Sequence, residues 1–427
     1  MYLHIDIDSF FASAERSINS KLNNIPIAVG ARSNLEIFNK KRTNIKLMHD
    51  NTGAFVTPIF YSEKKKTFES IFVDNLNGQR KIRGIITTCS YEARAFGIKT
   101  AMPIAQALQL CPHLVVVPSN YPLYHQLSKA ITQYMEKKIP KIEQFSIDEF
   151  FGDLSGWVTE EESYNFAVEL KAEVFEKFGI PVSIGIAPSK WIAKVATNHA
   201  KPFGVYQVQQ NSTFIKNIPI EAFPGIGKAF QTKLKAYGIH TLGEIEANRE
   251  LFYTWKKPGI QLYNRVLGID NEFINNKAKR KSIGISRTFD AIRDPHEVRR
   301  RVVIMARHTI YIVIQKEVNP STYYLRLNYE YGIKRKNSRT LHRLFSETLF
   351  KEQLLEMYDE IVYHNGGAIK LTINVSNFSN EKGATPSLFE FEEDKKRAEF
   401  TKKIQGLRER FGLDILKSGV ELWNLLI

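Results

Sequence analysis

LHIDIDSFFASAERSI, residues 3–18, is the stretch whose reading decides the fold. Leu3, Ile5 and Ile7 alternate with His4, Asp6 and Asp8, the period-two pattern of a strand with one buried and one polar face. Asp6 and Asp8 therefore share the polar face. Ser9 stands where it can cap the helix that follows, FFASAERSI. A second peptide, Ser146-Ile147-Asp148-Glu149, puts two more carboxylates where one strand turns into the next, FFGDL. Together the peptides offer three hard oxygen ligands, Asp6, Asp148 and Glu149. Brought together without a cation, they would repel one another and push a pKa up. A pair of Mg2+ ions removes that conflict and suits phosphoryl transfer. Asp8 is read instead as a local carboxylate, close to a helix N-terminus or bonded to backbone amides.

The chain has 427 residues, enough for several domains, and an ordinary apolar fraction of 43%. Sixty Lys and Arg oppose 45 Asp and Glu, and the net charge of +15 favours a polyanionic partner, nucleic acid before an anionic membrane. Cys89 and Cys111 are too few for a four-cysteine zinc site or a disulfide framework, which fits a reducing compartment. MYLHIDIDSF lacks the basic start and apolar core of a signal peptide, and the most apolar stretch, residues 302–314, is interrupted by Arg307 and His308. The expectation is a soluble cytoplasmic protein with no membrane role.

PIAVG, residues 26–30, reads as a strand. Residues 31–83 are polar, with basic clusters at 40–42 and 64–66 and interspersed aromatics, and read as an insertion with some structure of its own. GIITTCSYEARAFGI then runs from strand to short helix, and MPIAQALQL is a helix with Pro at its start. YPLYHQLSKAITQYMEKK and EESYNFAVELKAEVFEKF carry apolar positions at helical spacing. PVSIGIA is a strand, and SKWIAKVATNHAKPFG a helix that stops before Pro202. FPGIGKAFQTKLKAYGIHTLGEI matches a helix-hairpin-helix, in which Gly225 and Gly227 let backbone amides face one phosphate and Lys228 adds charge. NKAKRKS, with Arg280 and Lys281, is a basic linker. Beyond it the order is strand (SIGISRTFD), helix (296–316), strand (TYYLRLNYEY), strand (SRTLHRLF), helix (348–363) and strand (AIKLTINVSNF). This is a split β-α-β-β-α-β plan, from which Arg326, Arg339 and Arg343 could face a phosphate backbone. A loop, a charged helix and a short apolar tail follow.

Attack of a 3′-hydroxyl on an α-phosphate needs carboxylates for two metals, cations for a triphosphate and a groove for a duplex. Arg94 in SYEARAFG can fork onto two phosphate oxygens, and Lys201 in AKPFG is a point charge. Here a family resemblance enters. HIDIDSFFASAE and SIDEFFGDL resemble the two palm motifs of Y-family (DinB/UmuC-type) lesion-bypass DNA polymerases. SYEARAFGIKTAMPIAQA resembles their fingers motif, AKPFG their phosphate lysine, PGIG their thumb hairpin, and RKSIGISRTF the start of their little finger. The matches run in the family's order over most of the chain.

The resemblance implies an α+β right-hand polymerase. Its palm would be residues 1–10 and 119–208, its fingers 11–118 with the insertion at about 31–83, and its helical thumb 209–275. A basic linker at 276–284, a little finger at 285–378 and a tail at 379–427 would complete it. Asp6, Asp148, Glu149 and the Ile7 carbonyl would bind two Mg2+ ions. Tyr91, Arg94 and Lys201, with the backbone near Ser9 and Phe10, would hold the triphosphate. Phe11 would stack under the sugar as a steric gate against a 2′-hydroxyl, and Ile85 and Thr87 would lie over the nascent pair. The product is a low-fidelity, DNA-templated polymerase without a proofreading domain, acting as a monomer on primer–template DNA and dNTPs. Two features depart from the family pattern: the insertion, and Phe150 where the family often has Ala. In TPSLF, Ser387, Leu388 and Phe389 resemble the end of a sliding-clamp-binding peptide, though Thr385 and Pro386 replace its usual Gln and Leu. Clamp binding and a loop pinned by Phe389 both remain open. The rival readings are a non-catalytic DNA- or clamp-binding relative, and an untemplated palm nucleotidyl transferase. The DNA-gripping segments argue against the latter.

Overall fold

The computed structural model describes residues 1–39, 46–47, 60–61, 67–76, 78–269, 272–274, 280–379 and 390–425. It divides into two compact units. Among the described residues, the first holds 1–31 and 67–274, and the second holds 32–39, 46–47, 60–61 and everything from 280 onward.

The first unit is organised by a five-stranded sheet in the order Val205–Gln207, Val182–Ala187, Tyr2–Ile7, Glu149–Asp153, Lys141–Gln144. The strand carrying Asp6 is central and antiparallel to both neighbours, so Asp6 faces Glu149 on one side and Ser183 on the other. Leu3, Ile5, Ile7 and Phe150 turn to one face, where helices Tyr121–Lys138 and Glu160–Phe178 cover them with Tyr124, Ile131, Leu170 and Val174. Phe150 is therefore core, on the face opposite the carboxylates. Phe151 turns the other way, against Trp191 and Ile192 of helix Lys190–Ala200 and the helical segment 211–267.

A smaller sheet sets Ile27–Ala31 between Ile85–Cys89, antiparallel, and Val115–Pro118, parallel. Helix Phe68–Phe72, opened by a Thr67/Ser70 capping box, packs Phe72 into its core with Ile86, Ile98, Ile104 and Cys111. Gly30 makes this possible, because a Cβ there would lie 2.6 Å from the Phe72 ring.

The second unit has a four-stranded antiparallel sheet, ordered Ser282–Ile292, Ala368–Ser379, Asn319–Tyr329, Lys334–Thr340. Helices Pro295–Gln315 and Glu347–Ile361 pack on its apolar face. This matches the expected β-α-β-β-α-β order, with one correction: the third strand is Lys334–Thr340, and only Ser338–Thr340 lies within the peptide SRTLHRLF read as that strand. KRKNSRT shows no apolar alternation because it is the edge strand, and its lysines protect the unpaired edge. Helix Phe391–Phe411 belongs to this unit, tied by Arg408 to Glu347 at 2.6 and 3.0 Å and by Arg343 to Asp394.

The segment read as a fingers insertion is divided. Residues 67–76 and 78–82 build into the first unit. Residues 33–38 instead join the second unit. Ile37 and Phe38 are buried in its core, and Phe38 meets Phe289 edge-on at 6.3 Å beneath the Arg301 guanidinium. Arg300 donates to the Phe38 carbonyl, Arg287 to the Asn34 carbonyl, and the Thr288 amide to Ser33 Oγ. Burial of Arg287 lowers its pKa to about 10.

Candidate active site and nucleic-acid interface

Antiparallel register brings the two acidic peptides together. Asp6 is directly opposite Glu149, and Asp148 lies one residue before that strand, its carbonyl accepting from the Ile7 amide at 2.9 Å. Each carboxylate has a partner from the protein. Lys201 Nζ lies 2.7 Å from Asp6 Oδ1, Ser146 Oγ donates to Asp148 at 2.5 Å, and Lys194 Nζ is bonded to Glu149. Burial raises Asp6 to about 7; Lys201 opposes the rise, and nearby Asp148 and Glu149 add to it. Asp148 is also raised, chiefly by burial, with Ser146 opposing.

Among the described residues, no three His, Cys, Asp or Glu side chains are grouped closely enough to hold a metal as they stand. The chemistry of the set nevertheless fits a hard divalent cation. Three partly buried carboxyl groups meet at one end of two paired inner strands, two with raised proton affinity, and lysine ammoniums neutralise two of the three.

The nucleotide candidates gather beside them. Tyr91 opens helix Tyr91–Ala95, whose N-cap Ser90 also accepts from the Ile27 amide. The Tyr91 hydroxyl donates to Asp8 at 3.0 Å, and Arg94 lies 4.8 Å over the Tyr91 ring. Burial and Asp8 together push the Tyr91 pKa well above the usual phenol range. Phe11 lies flat on Tyr124, with centroids 4.3 Å apart and rings 11° from parallel, while Phe10 is core. Phe11 keeps part of its surface exposed, as an aromatic gate requires. Tyr124 is itself fixed by donating to Glu15 at 2.6 Å.

The Ser9 expectation is corrected. Ser9 has a left-handed backbone (φ 47°), makes no side-chain cap, and its buried hydroxyl finds no hydrogen-bond partner. Its carbonyl accepts from the Ser13 amide, while Ser13 Oγ donates to the Asp8 carbonyl, so Ser13 rather than a Ser9 cap ties down the helix start.

Sequence reasoning missed Lys194, His4 and Thr197. His4 is buried, bonded to Thr197 Oγ1 at 2.9 Å and 3.8 Å from Glu149 Oε1; burial holds its pKa well below the usual imidazole range. The signal was available, since Lys190, Lys194, Thr197 and Lys201 recur at i, i+4, i+7 and i+11.

The phosphate-facing candidates separate into two groups. Gly225 has φ +96°, open space surrounds both Gly225 and Gly227, and Lys228 begins helix Lys228–Ala236, exposed, with no side-chain cap before it. Arg280 and Lys281 directly precede strand Ser282–Ile292. Arg326 lies on the open face of the second unit's sheet, in register with Lys336 and Thr372. Asn328 pairs there with Lys334 and Lys370, two lysines that, like Lys336, the sequence reading did not select. Arg339 is instead bound by Glu356 and Glu360 of the covering helix, and Arg343 is forked onto buried Asp394. Both carry ion pairs within the unit, and Arg339 sits in register with the core residue Tyr323, on the helix-covered face. Ser387, Leu388 and Phe389 lie outside the described residues.

Residues 58–198 match the model of the impB/mucB/samB family, 212–239 its HHH motif and 280–388 its C-terminal domain. A DNA polymerase IV of Vibrio parahaemolyticus serotype O3:K6 is 32% identical over 292 residues, which is 67% of this chain and 69% of that protein. A DNA polymerase IV of Lactococcus lactis subsp. cremoris (strain MG1363) is 27% identical over 393 residues, 89% of this chain and 94% of its own. Among solved structures, a Y-family DNA polymerase chimera matches with a TM-score of 0.68 at 23% identity, covering 88% of this chain and 98% of its own. DinB from Sulfolobus solfataricus matches over the same shares, with a TM-score of 0.51 and 23% identity. The chain belongs to the impB/mucB/samB family, the DinB/UmuC-type Y-family of DNA polymerases.

Proposed function

We propose that the protein is a DNA-templated DNA polymerase of low fidelity that extends primers past damaged template bases, using dNTPs. The observation that carries this reading is the register of Asp6 against Glu149, with Asp148 adjacent and Lys201 on Asp6. Asp6, Asp148, Glu149 and the Ile7 carbonyl would hold two Mg2+ ions. Those ions, when bound, supply charge for attack of the primer 3′-oxygen and departure of pyrophosphate. Lys201, released from Asp6, becomes a cation for the triphosphate, beside Arg94 on its Tyr91 platform. Phe11, braced on Tyr124, occupies the space a ribose 2′-hydroxyl would need. The exposed glycine turn at 225–228, Arg280, Lys281 and the open sheet face with Arg326 follow the backbone of primer–template DNA, in contacts that carry no sequence information. The proposal includes the domain boundaries given above, a monomer in the cytoplasm, and a sliding clamp as partner of Ser387–Phe389.

The test is primer extension on undamaged and lesion-bearing templates with Mg2+ and dNTPs, beside Asp148→Ala/Glu149→Ala. Extension lost in the variant, with DNA binding kept, supports the assignment. A wild type that extends nothing favours the non-catalytic reading, and release of a mismatched terminal nucleotide would contradict the proposed low fidelity.

A further inference from the structure

Asp8 is 2% exposed, and its carboxylate accepts three hydrogen bonds. Tyr91 Oη donates to one oxygen at 3.0 Å, while Ser183 Oγ and the Phe203 amide donate to the other at 2.8 Å each. Its backbone is held as well, the amide by the Pro181 carbonyl and the carbonyl by Ser13 Oγ. The three donors come from separate elements: helix Tyr91–Ala95, strand Val182–Ala187, and the turn two residues after Lys201. A buried carboxylate so fully used is a joint rather than an open ligand.

Two of these bonds lead to nucleotide candidates. A tyrosine hydroxyl has one proton, and Tyr91 gives it to Asp8. Arg94 lies over the ring that this bond orients. On the other side, Phe203 has φ 50°, a left-handed backbone costly for a non-glycine residue. Asp8 holds its amide, and Lys171 donates to its carbonyl at 3.0 Å. The turn beginning at Lys201 is thereby fixed.

We propose that Asp8 is a positioning residue for the incoming triphosphate, setting Arg94 through Tyr91 and Lys201 through Phe203 without itself touching metal or phosphate. This rests on the polymerase reading above.

The test is single-nucleotide insertion with a double-mutant cycle. Asp8→Asn and Tyr91→Phe should each raise the KM for dNTP about tenfold, with kcat changed much less and primer–template affinity unchanged. The double variant should be no worse than the worse single. Ser183→Ala, which removes only the third bond, should lower Tm and leave KM alone. Additive effects, or a Tyr91→Phe defect without an Asp8→Asn defect, would overturn the proposal, since the hydroxyl would then act on the nucleotide directly. If Asp8→Asn does not fold, a cycle of Tyr91→Phe with Arg94→Ala decides on the same criterion. A wild type that inserts nothing removes the function and this role together; a wild type that inserts, with an additive cycle, removes this role alone.

Discussion

Lys201 and Asp6 form an ion pair at the centre of the carboxylate cluster, 2.7 Å from ammonium nitrogen to Oδ1. A side chain proposed to grip the nucleotide thus neutralises a proposed metal ligand, and on that proposal it would leave Asp6 when cations bind.

A pH dependence follows. Asp6 rises from an ordinary 3.8 to about 7, mainly through burial, and Asp148 moves the same way. A folded-state pKa above the unfolded one gives stability that is full at low pH and lost as pH climbs through the folded value. In chelator, thermal melts should therefore fall between about pH 4 and pH 7. Mg2+ should reduce that fall, because the ion takes the proton's place. Asp6→Asn should flatten the metal-free curve, and a curve as steep as wild type would contradict the assignment.

Phe11→Ala should admit ribonucleotides. Removing the ring from Tyr124 opens the space beneath the sugar, and rNTP insertion relative to dNTP should rise by at least about tenfold. Measured with matched single nucleotides, an unchanged ratio would return Phe11 to a packing role.

Arg339 and Arg343 should behave differently from the lysines of the same unit. Lys334→Ala, Lys336→Ala and Lys370→Ala should each reduce the salt dependence of DNA binding, leaving Tm nearly unchanged. Arg343→Ala strands the buried Asp394 carboxylate and should cost about 3 kcal/mol of stability. Binding titrations across salt, paired with melts, separate the two groups.

Phe38→Ala should loosen the C-terminal unit. The ring is 5% exposed against Phe289 and Arg301, and a buried Phe→Ala change costs about 3–5 kcal/mol. Hydrogen exchange should quicken in helix Pro295–Gln315. Exchange that quickens only around residues 85–118 would place Phe38 in the fingers after all.

Strict periodicity made much of this molecule legible. The alternation of residues 3–8 gives the central strand, and the β-α-β-β-α-β order of the second unit follows from its apolar faces. Register is a different matter. That Asp6 meets Glu149 depends on a pairing between residues more than a hundred positions apart, which no local pattern encodes. The first part of strand Lys334–Thr340, before Ser338, escaped recognition because an edge strand bearing charge resembles a loop. Arg339 and Arg343 were misjudged because a sequence shows charge but not the carboxylate already occupying it. Residues 33–38 gave no sign that Phe38 would cross to a core formed by residues beyond 280.

That crossing bears on inheritance. A recombination joint placed in the basic segment before Ser282 would exchange the C-terminal half of the chain. It would in fact part Ile37 and Phe38 from the sequence whose core they complete. A fragment exchanged at that joint alone would confront Ile37 and Phe38 with a core they were not fitted to, at the cost that packing mismatch carries.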